Sequence, residues 1–345
     1  MEKTELANGY YQYYRPGVLK MRLVLIICAI LYTYGSHTAL TSANGVIFGF
    51  SFPALYIFSG YLVLRKSQNI EKRIIRAISR AAVCFLIMFA TSVVLSLVAN
   101  TSGTIKLLAN RAFWLNLLIL NKSYLPIGSV MWSVQALLYA YIIIYFIYKL
   151  DLLHLDIYIA IICLIFTVAS GELSSVLDFK IRSFTYIGGN FLTRALPYVL
   201  IGCFIHRKKG FFYRLDTAWY YAIIAVGIVF SIVEYCALFL TDNLRYTGHT
   251  VGSGLVAVGI CLLTVFMSEA EIQSELLNPL SRYEIMLPFF VSSPIYYFLL
   301  WFFANHHSEV MDKVSDFTGI LTVILSVLAL YVYSVFRKYV LKSEN

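Results

Sequence analysis

The sequence has few charged residues for its length. Asp, Glu, Lys and Arg together make up 13% of the 345 residues, whereas about 25% is usual in soluble proteins. Hydrophobic residues make up 60%. This composition excludes a soluble globular domain and predicts an all-α integral membrane protein.

Metal-binding motifs are also missing. The six cysteines all fall within apolar runs, and none belongs to a CxxC motif or to a Cys/His pair at metal-ligand spacing. We therefore expect no metal site. The longest stretch between apolar runs, residues 100–130, is itself partly apolar, so we expect an interfacial helix there, on the outer face, rather than a soluble domain. The chain is predicted to be one membrane domain over residues 1–345.

Long apolar runs are what the sequence has in abundance. The hydrocarbon core of a bilayer is about 30 Å thick and needs about 20 apolar residues per helix. Ten runs approach this length, and they predict one bundle of about ten transmembrane helices. They cover residues 20–40, 45–64, 79–99, 131–148, 154–170, 189–206, 217–240, 251–268, 284–304 and 317–336.

The basic residues predict an orientation, because short cytoplasmic loops retain Lys and Arg. With ten spans and both termini in the cytoplasm, 19 of the 27 Lys and Arg residues fall on the cytoplasmic side. They are spread over six segments rather than gathered on one face, which excludes a nucleic-acid interface. The net charge of +9 therefore indicates contact with anionic membrane lipid.

A histidine near the end of the first apolar run is a candidate catalytic residue. It belongs to the polar cluster Tyr34-Gly35-Ser36-His37-Thr38. Polar groups at membrane depth are costly and usually face the bundle interior or a water-filled cavity. His37 could therefore take part in chemistry, although a histidine at a helix end can also face interfacial water.

A basic stripe follows the second run. Arg73, Arg76 and Arg80 are three and four residues apart, so on a helix they share one face at the cytoplasmic surface. Such a stripe can bind phosphates, or it can serve as an anchor of the positive-inside type. Arg65 lies shortly before it, and Arg22 is a basic residue upstream of His37.

One carboxylate lies within an apolar run. Glu234 is in the seventh predicted span. It could orient an imidazole in a catalytic role, or form a structural ion pair with Arg194.

These segments, in this order, resemble the membrane-bound acyltransferase 3 family. Its members carry a histidine in the first span, an aromatic-x-x-Ser-Gly-Tyr/Phe stretch in the second and a basic cytoplasmic loop after it. The resemblance covers most of the chain. The matching segments are His37, Tyr56-Ile57-Phe58-Ser59-Gly60-Tyr61, the Arg73 stripe, the tryptophan-led Met131-Trp132-Ser133, the glycine-containing Leu196-Pro197-Tyr198-Val199-Leu200-Ile201-Gly202, and Ser281-Arg282-Tyr283 with the later Ser293-Pro294.

The resemblance implies an O-acyltransferase. Its reaction would move an acetyl group from cytoplasmic acetyl-CoA to a hydroxyl of a cell-surface glycan or glycolipid at a bacterial inner membrane. It implies that His37 acts as general base or acyl carrier, with Glu234 as a second candidate, and that Arg22, Arg65, Arg73, Arg76 and Arg80 hold the phosphates of CoA. The sequence departs from the family at two places: fourteen residues instead of ten separate Arg22 from His37, and Ser293 stands where many members have histidine.

Two other functions fit a polytopic bundle. A transporter or flippase for a lipid-linked sugar would also need polar residues inside the bundle, but we find few ionisable residues at midspan and no pair of broken helices in corresponding halves. A polysaccharide polymerase would be expected to have a large outer loop with several arginines, and no such loop is present. The acceptor stays open among O-antigen, capsule, exopolysaccharide, peptidoglycan and small molecules.

Overall fold

A computed structural model describes most of the chain. The described residues are 16–34, 41–64, 69–121, 125, 130–170, 190–240, 251–267, 287–305 and 317–340. Within these ranges the regular structure is entirely helical, which confirms the predicted all-α class.

Fifteen α-helices make up the described part of the chain, and a short 3₁₀ helix, Leu152–Leu155, precedes α8. In chain order they are α1 (Pro16–Tyr34), α2 (Thr41–Phe48), α3 (Ser51–Val63), α4 (Ile70–Ala99), α5 (Thr101–Ala109), α6 (Arg111–Leu118), α7 (Met131–Lys149), α8 (Asp156–Ser170), α9 (Phe191–Arg194), α10 (Leu196–Arg207), α11 (Lys209–Phe212), α12 (Thr217–Leu240), α13 (Val251–Met267), α14 (Leu287–Asn305) and α15 (Thr318–Val340).

Seven helical segments in the described residues are long and apolar enough to cross a membrane. They correspond to the second, third, fourth, fifth, seventh, ninth and tenth predicted spans. The first and sixth spans fall on helices outside this set, and the eighth falls on a shorter apolar helix, Val251–Phe266. The structure therefore confirms the predicted multi-pass helical bundle, with seven membrane-length helices rather than ten among the described residues.

Helix α4 is longer than its apolar run. It begins at Ile70 because the Asn69 side chain accepts a hydrogen bond from the Lys72 amide, at 3.0 Å, and so caps the first turn. It ends at Ala99, where Asn100 in turn caps the start of α5. Its 30 residues rise about 45 Å, so the charged first turns extend about 15 Å beyond a bilayer core.

Prolines coincide with interruptions in two predicted spans. The second span turns at 49–50 just before Pro53, and the sixth breaks at Ala195 just before Pro197. Proline has no N–H to donate to the carbonyl four residues earlier. In the sixth span that carbonyl belongs to Thr193, and the Thr167 hydroxyl of α8 lies 3.1 Å from it. Both predicted spans therefore contain an interruption that the apolar runs did not indicate.

Two glycines let the backbones of α3 and α10 touch. A Cβ added to Gly60 would lie 2.0 Å from the Val199 carbonyl oxygen, and one added to Gly202 would lie 2.1 Å from the Ile57 carbonyl oxygen. Small residues at helix crossings allow this close approach in membrane bundles. The glycine-containing motifs of the second and sixth spans thus form one helix crossing, which we call the glycine crossing.

The glycine crossing predicts that positions 60 and 202 do not tolerate a side chain larger than that of glycine. We expect Gly202→Ala to lower the free energy of unfolding by at least ~1 to 3 kcal/mol, because the added methyl group meets backbone that cannot move aside without separating the helices. The midpoint of thermal unfolding of the detergent-purified protein measures this. Gly210→Ala is the matched control, since no atom lies within 4 Å of a Cβ there. Equal midpoints for the two variants would contradict the prediction.

Helices α5 and α6 occupy most of the segment predicted as an interfacial helix. The Thr104 hydroxyl donates to the Ser96 carbonyl at 2.9 Å, so α5 folds back along α4. The Tyr139 hydroxyl donates to the Leu118 carbonyl at 2.6 Å, eight residues into α7. Apolar side chains stay exposed on this hairpin, as expected of a segment that contacts lipid. They include Ile105, Leu115, Leu118 and Ile119.

Candidate functional site

The end of α1 meets α14 through two tyrosines and a serine. The Tyr34 hydroxyl donates a hydrogen bond to Ser293 Oγ at 2.9 Å, and both residues are buried. The Tyr34 and Tyr296 rings lie with their centroids 4.4 Å apart. Ser293 stands where the resemblance places a histidine in many family members, and the contact joins residues that are 259 positions apart in the chain.

Further rings extend this group toward α3 and α7. The Phe52 ring lies 5.0 Å from the Trp132 ring and 6.2 Å from the Phe289 ring, centroid to centroid. The guanidinium carbon of Arg194 lies 5.0 Å from the centre of the Trp132 ring, a cation–π arrangement. We call Tyr34, Phe52, Trp132, Arg194, Phe289, Ser293 and Tyr296 the aromatic cluster.

A hydrogen bond from α3 to α7 lies next to the aromatic cluster. The Tyr56 hydroxyl donates to the Ser133 carbonyl at 3.1 Å, and Tyr56 is buried. Tyr56 opens the Tyr56–Tyr61 motif of the resemblance, and Ser133 belongs to the tryptophan-led one. The second and fourth predicted spans are therefore brought together at their motifs.

Two of the predicted site residues, His37 and Arg65, lie outside the described residues. Their roles stay predictions. The nearest described residue to His37 on its N-terminal side is Tyr34, with two residues between them in the chain. The sequence placed Tyr34 in the polar cluster but did not indicate its bond to Ser293.

A second polar group lies at the opposite end of α3. Arg22 of α1 is half-buried and close enough to the Tyr141 hydroxyl of α7 for an electrostatic interaction, and Ser59 of α3 lies beside the same hydroxyl. The Tyr61 and His206 rings meet edge to face with centroids 5.1 Å apart. We call this end of the bundle, at which α4 begins and α7 and α10 end, the "basic end".

The three stripe arginines lie on the first turns of α4, as predicted, but their surroundings differ. Arg73 is half-buried and its Nη1 atom is buried, whereas Arg76 and Arg80 are exposed. The buried side of α4 carries Ile74 and Ala81, which lie about 100° around the helix from Arg73 and Arg80. Arg73 is thus the stripe residue nearest the bundle.

An ion pair fixes the basic end. Arg207, the last residue of α10, binds the Asp156 carboxylate with both Nε, at 3.2 Å, and Nη2. Its Nη2 also lies 3.2 Å from the His154 carbonyl. The Asp156 side chain is fully buried and the Arg207 side chain is 30% exposed. The only hint in the sequence was the opposite charges at the ends of two predicted spans.

Glu234 contacts the start of a neighbouring helix. Its two carboxylate oxygens accept hydrogen bonds from the backbone amides of Val251, at 3.0 Å, and Gly252, at 3.1 Å. These amides begin α13, where the helix dipole favours a negative charge. Glu234 is buried, and these bonds give it a structural role as a cap, beside which its predicted catalytic role stays untested.

No group of three or more His, Cys, Asp or Glu side chains suited to a metal ion occurs among the residues that the structure describes. Comparison of the chain with family models, with curated proteins and with solved structures finds no match.

Proposed function

We propose that the chain is a membrane O-acyltransferase of a bacterial inner membrane. It moves an acetyl group from cytoplasmic acetyl-CoA to a hydroxyl of a cell-surface glycan or glycolipid. In this proposal the chain crosses the membrane ten times, both termini are cytoplasmic, and the basic end of the bundle faces the cytoplasm.

The observation that carries the proposal is the hydrogen bond between Tyr34 and Ser293. It connects the first-span segment that contains the histidine motif to the segment that contains the later Ser-Pro. With Trp132 in the same aromatic cluster, segments recognised separately in the sequence lie side by side. A shared site is a physical reason for these motifs to occur in one chain.

The two ends of α3 offer one site for each substrate. Arg22 and Arg73 lie at the basic end, where their guanidinium groups would meet the phosphates of CoA. At the other end of α3, the half-buried Trp132 and Arg194 are the members of the aromatic cluster that an acceptor sugar would meet. Phe52 and Ser59 are seven residues apart on α3, so about 10 Å of helix separates the two groups.

The chemistry assigned to His37 can follow two routes. As a general base, its imidazole takes the proton of the acceptor hydroxyl while that oxygen bonds to the acetyl carbonyl carbon. The carbon–sulfur bond then breaks and the CoA sulfur leaves with the proton from the imidazolium. As a nucleophile, an imidazole nitrogen bonds to the acetyl carbonyl carbon, the carbon–sulfur bond breaks, and the CoA thiol leaves with the proton of the imidazole. The acceptor oxygen then bonds to the same carbon, the carbon–nitrogen bond breaks, and the acceptor proton returns to the imidazole.

Transfer of labelled acetyl tests the proposal. Membranes containing the protein are incubated with acetyl-CoA labelled in the acetyl group, and the glycan and glycolipid fractions are counted. The proposal expects alkali-labile label that depends on the protein. Absence of such label in membranes that retain their native glycans would overturn it.

The donor site yields a quantitative prediction. A hydrogen bond to a charged group is worth about 1.5 to 3 kcal/mol, so Arg22→Gln and Arg73→Gln should each raise the acetyl-CoA concentration for half-maximal rate by about tenfold or more. Arg214→Gln is the control, because Arg214 is exposed beyond α11. An unchanged dependence on acetyl-CoA in both variants would mean that these arginines serve only as anchors.

The transporter or flippase remains the second candidate because of the interrupted helices. The turn at 49–50 and the break at Ala195 are features that transporters use at binding sites. They fall in the second and sixth predicted spans, which are not corresponding positions of two five-span halves. Movement of a fluorescent lipid-linked sugar across liposomes without acetyl-CoA would favour this candidate.

A further inference from the structure

The exposed face of α4 carries two arginines directly above a lipid-facing apolar stripe. Arg76 and Arg80 are exposed. Residues that follow one another at intervals of three, four or seven positions lie on the same face of a helix. The residues that follow on it are also exposed, with Val83 at 52%, Ile87 at 58%, Val94 at 58% and Val98 at 81%.

The length of the uncharged part of α4 sets the level of these arginines. No charged residue occurs from Ala81 to Ala99, a stretch of about 28 Å at 1.5 Å per residue, which matches the ~30 Å hydrocarbon core. Arg80 therefore lies at the edge of the core. Arg76 lies about 6 Å further out, within the headgroup layer of roughly 5 to 8 Å.

The first turns of α4 are held in place. Glu71 forms a salt bridge of 2.7 Å with Lys149 at the end of α7, and the Tyr145 hydroxyl lies 3.4 Å from the same carboxylate. Glu71 lies on the side of α4 that faces α7, so its charge is directed away from Arg76 and Arg80. The two arginines thus lie on the side of α4 opposite to this ion pair.

We propose that Arg76 and Arg80 bind the phosphate group of an anionic phospholipid in the leaflet at the basic end, and that its acyl chains lie along Val83 and Ile87. A guanidinium group matches phosphate oxygens in a bidentate geometry. The site is separate from Arg73, whose Nη1 atom is buried, and it does not depend on the proposed acyl transfer. It gives Arg76 and Arg80 a partner other than the CoA predicted from the sequence.

Native mass spectrometry of the detergent-purified protein tests this site by titration with phosphatidylglycerol and with phosphatidylcholine. Each basic residue near an anionic surface contributes about 1 kcal/mol, so Arg76→Gln/Arg80→Gln should weaken binding of the first phosphatidylglycerol by roughly 30-fold. Binding of phosphatidylcholine should change much less. Arg76→Lys/Arg80→Lys should retain most of the affinity because the charges are kept.

A control variant that loses the same charge distinguishes a specific lipid site from general attraction between anionic lipid and a basic protein. Lys208 and Lys209 are exposed at the end of α10, and Lys208→Gln/Lys209→Gln should leave the first phosphatidylglycerol bound as in wild type. Equal losses in the two double Gln variants would overturn the proposal in favour of diffuse attraction. Unchanged phosphatidylglycerol binding in Arg76→Gln/Arg80→Gln, together with a higher requirement for acetyl-CoA, would overturn it in favour of a donor site.

Discussion

Replacing His37 with Gln is expected to lower the rate of acetyl transfer by about 10²- to 10⁴-fold, the usual contribution of general acid–base catalysis. Glutamine keeps the polarity and approximate size of the side chain but cannot accept a proton near neutral pH. In the other route, glutamine cannot carry the acetyl group, so the loss is at least as large. The rate of label transfer in membranes with equal amounts of inserted protein measures the effect.

The control for this change is His154→Gln. His154 is exposed in the 3₁₀ helix before α8, with Nδ1 3.0 Å from the Asp151 carbonyl oxygen, and its replacement should leave the rate within about twofold, since surface changes have small effects. A His37→Gln protein that retains more than about a tenth of the wild-type rate would mean that the base lies elsewhere. Glu234 would then be the next residue to test.

Removing Arg207 is expected to destabilise the protein more than neutralising its partner. In Arg207→Gln the Asp156 carboxylate stays fully buried without its counter-charge, a situation that costs about 3 to 5 kcal/mol. In Asp156→Asn the remaining charge belongs to a side chain that is 30% exposed, so water can solvate part of it and the loss is smaller. Thermal or denaturant unfolding of the two variants in detergent gives the loss of stability of each.

The pair formed by Glu71 and Lys149 provides the matched control at the same end of the bundle. Its side chains are 37% and 46% exposed, and exposed ion pairs contribute little to stability. Lys149→Gln should therefore change the unfolding midpoint only slightly. If Arg207→Gln were as mild as Lys149→Gln, the buried ion pair would not hold α8 and α10 together as inferred here.

The helical architecture could be predicted from the sequence because it depends on local composition. Apolar runs of bilayer length report helices directly, and seven of the ten runs became helices of membrane length. The interruptions at 49–50 and at Ala195 were visible in principle through Pro53 and Pro197, because proline cannot donate to the preceding turn. They were missed because the runs stay apolar across them.

The contacts of the candidate site could be predicted only in part. The motif order brought attention to Ser293, but the bond from Tyr34 joins residues 259 positions apart, and no local pattern reports such a contact. The hydrogen bonds of Glu234 could not be predicted from the sequence for a different reason. Its partners are backbone amides, which every residue except proline has, so no residue type marks them. The arginine stripe was predicted as one unit because spacing fixes a face, whereas burial of Arg73 depends on the neighbouring helices.

The bonds from Glu234 to the first amides of α13 have a consequence for biosynthesis. The ribosome makes α12, which carries Glu234, before it makes Val251 and Gly252. The N–H groups of these two residues donate hydrogen bonds to the Glu234 carboxylate. A carboxylate within an inserting apolar helix is costly, and the first amides of a helix are also unsatisfied in lipid. Each helix supplies what the other lacks, so α12 and α13 enter the membrane most favourably as a hairpin.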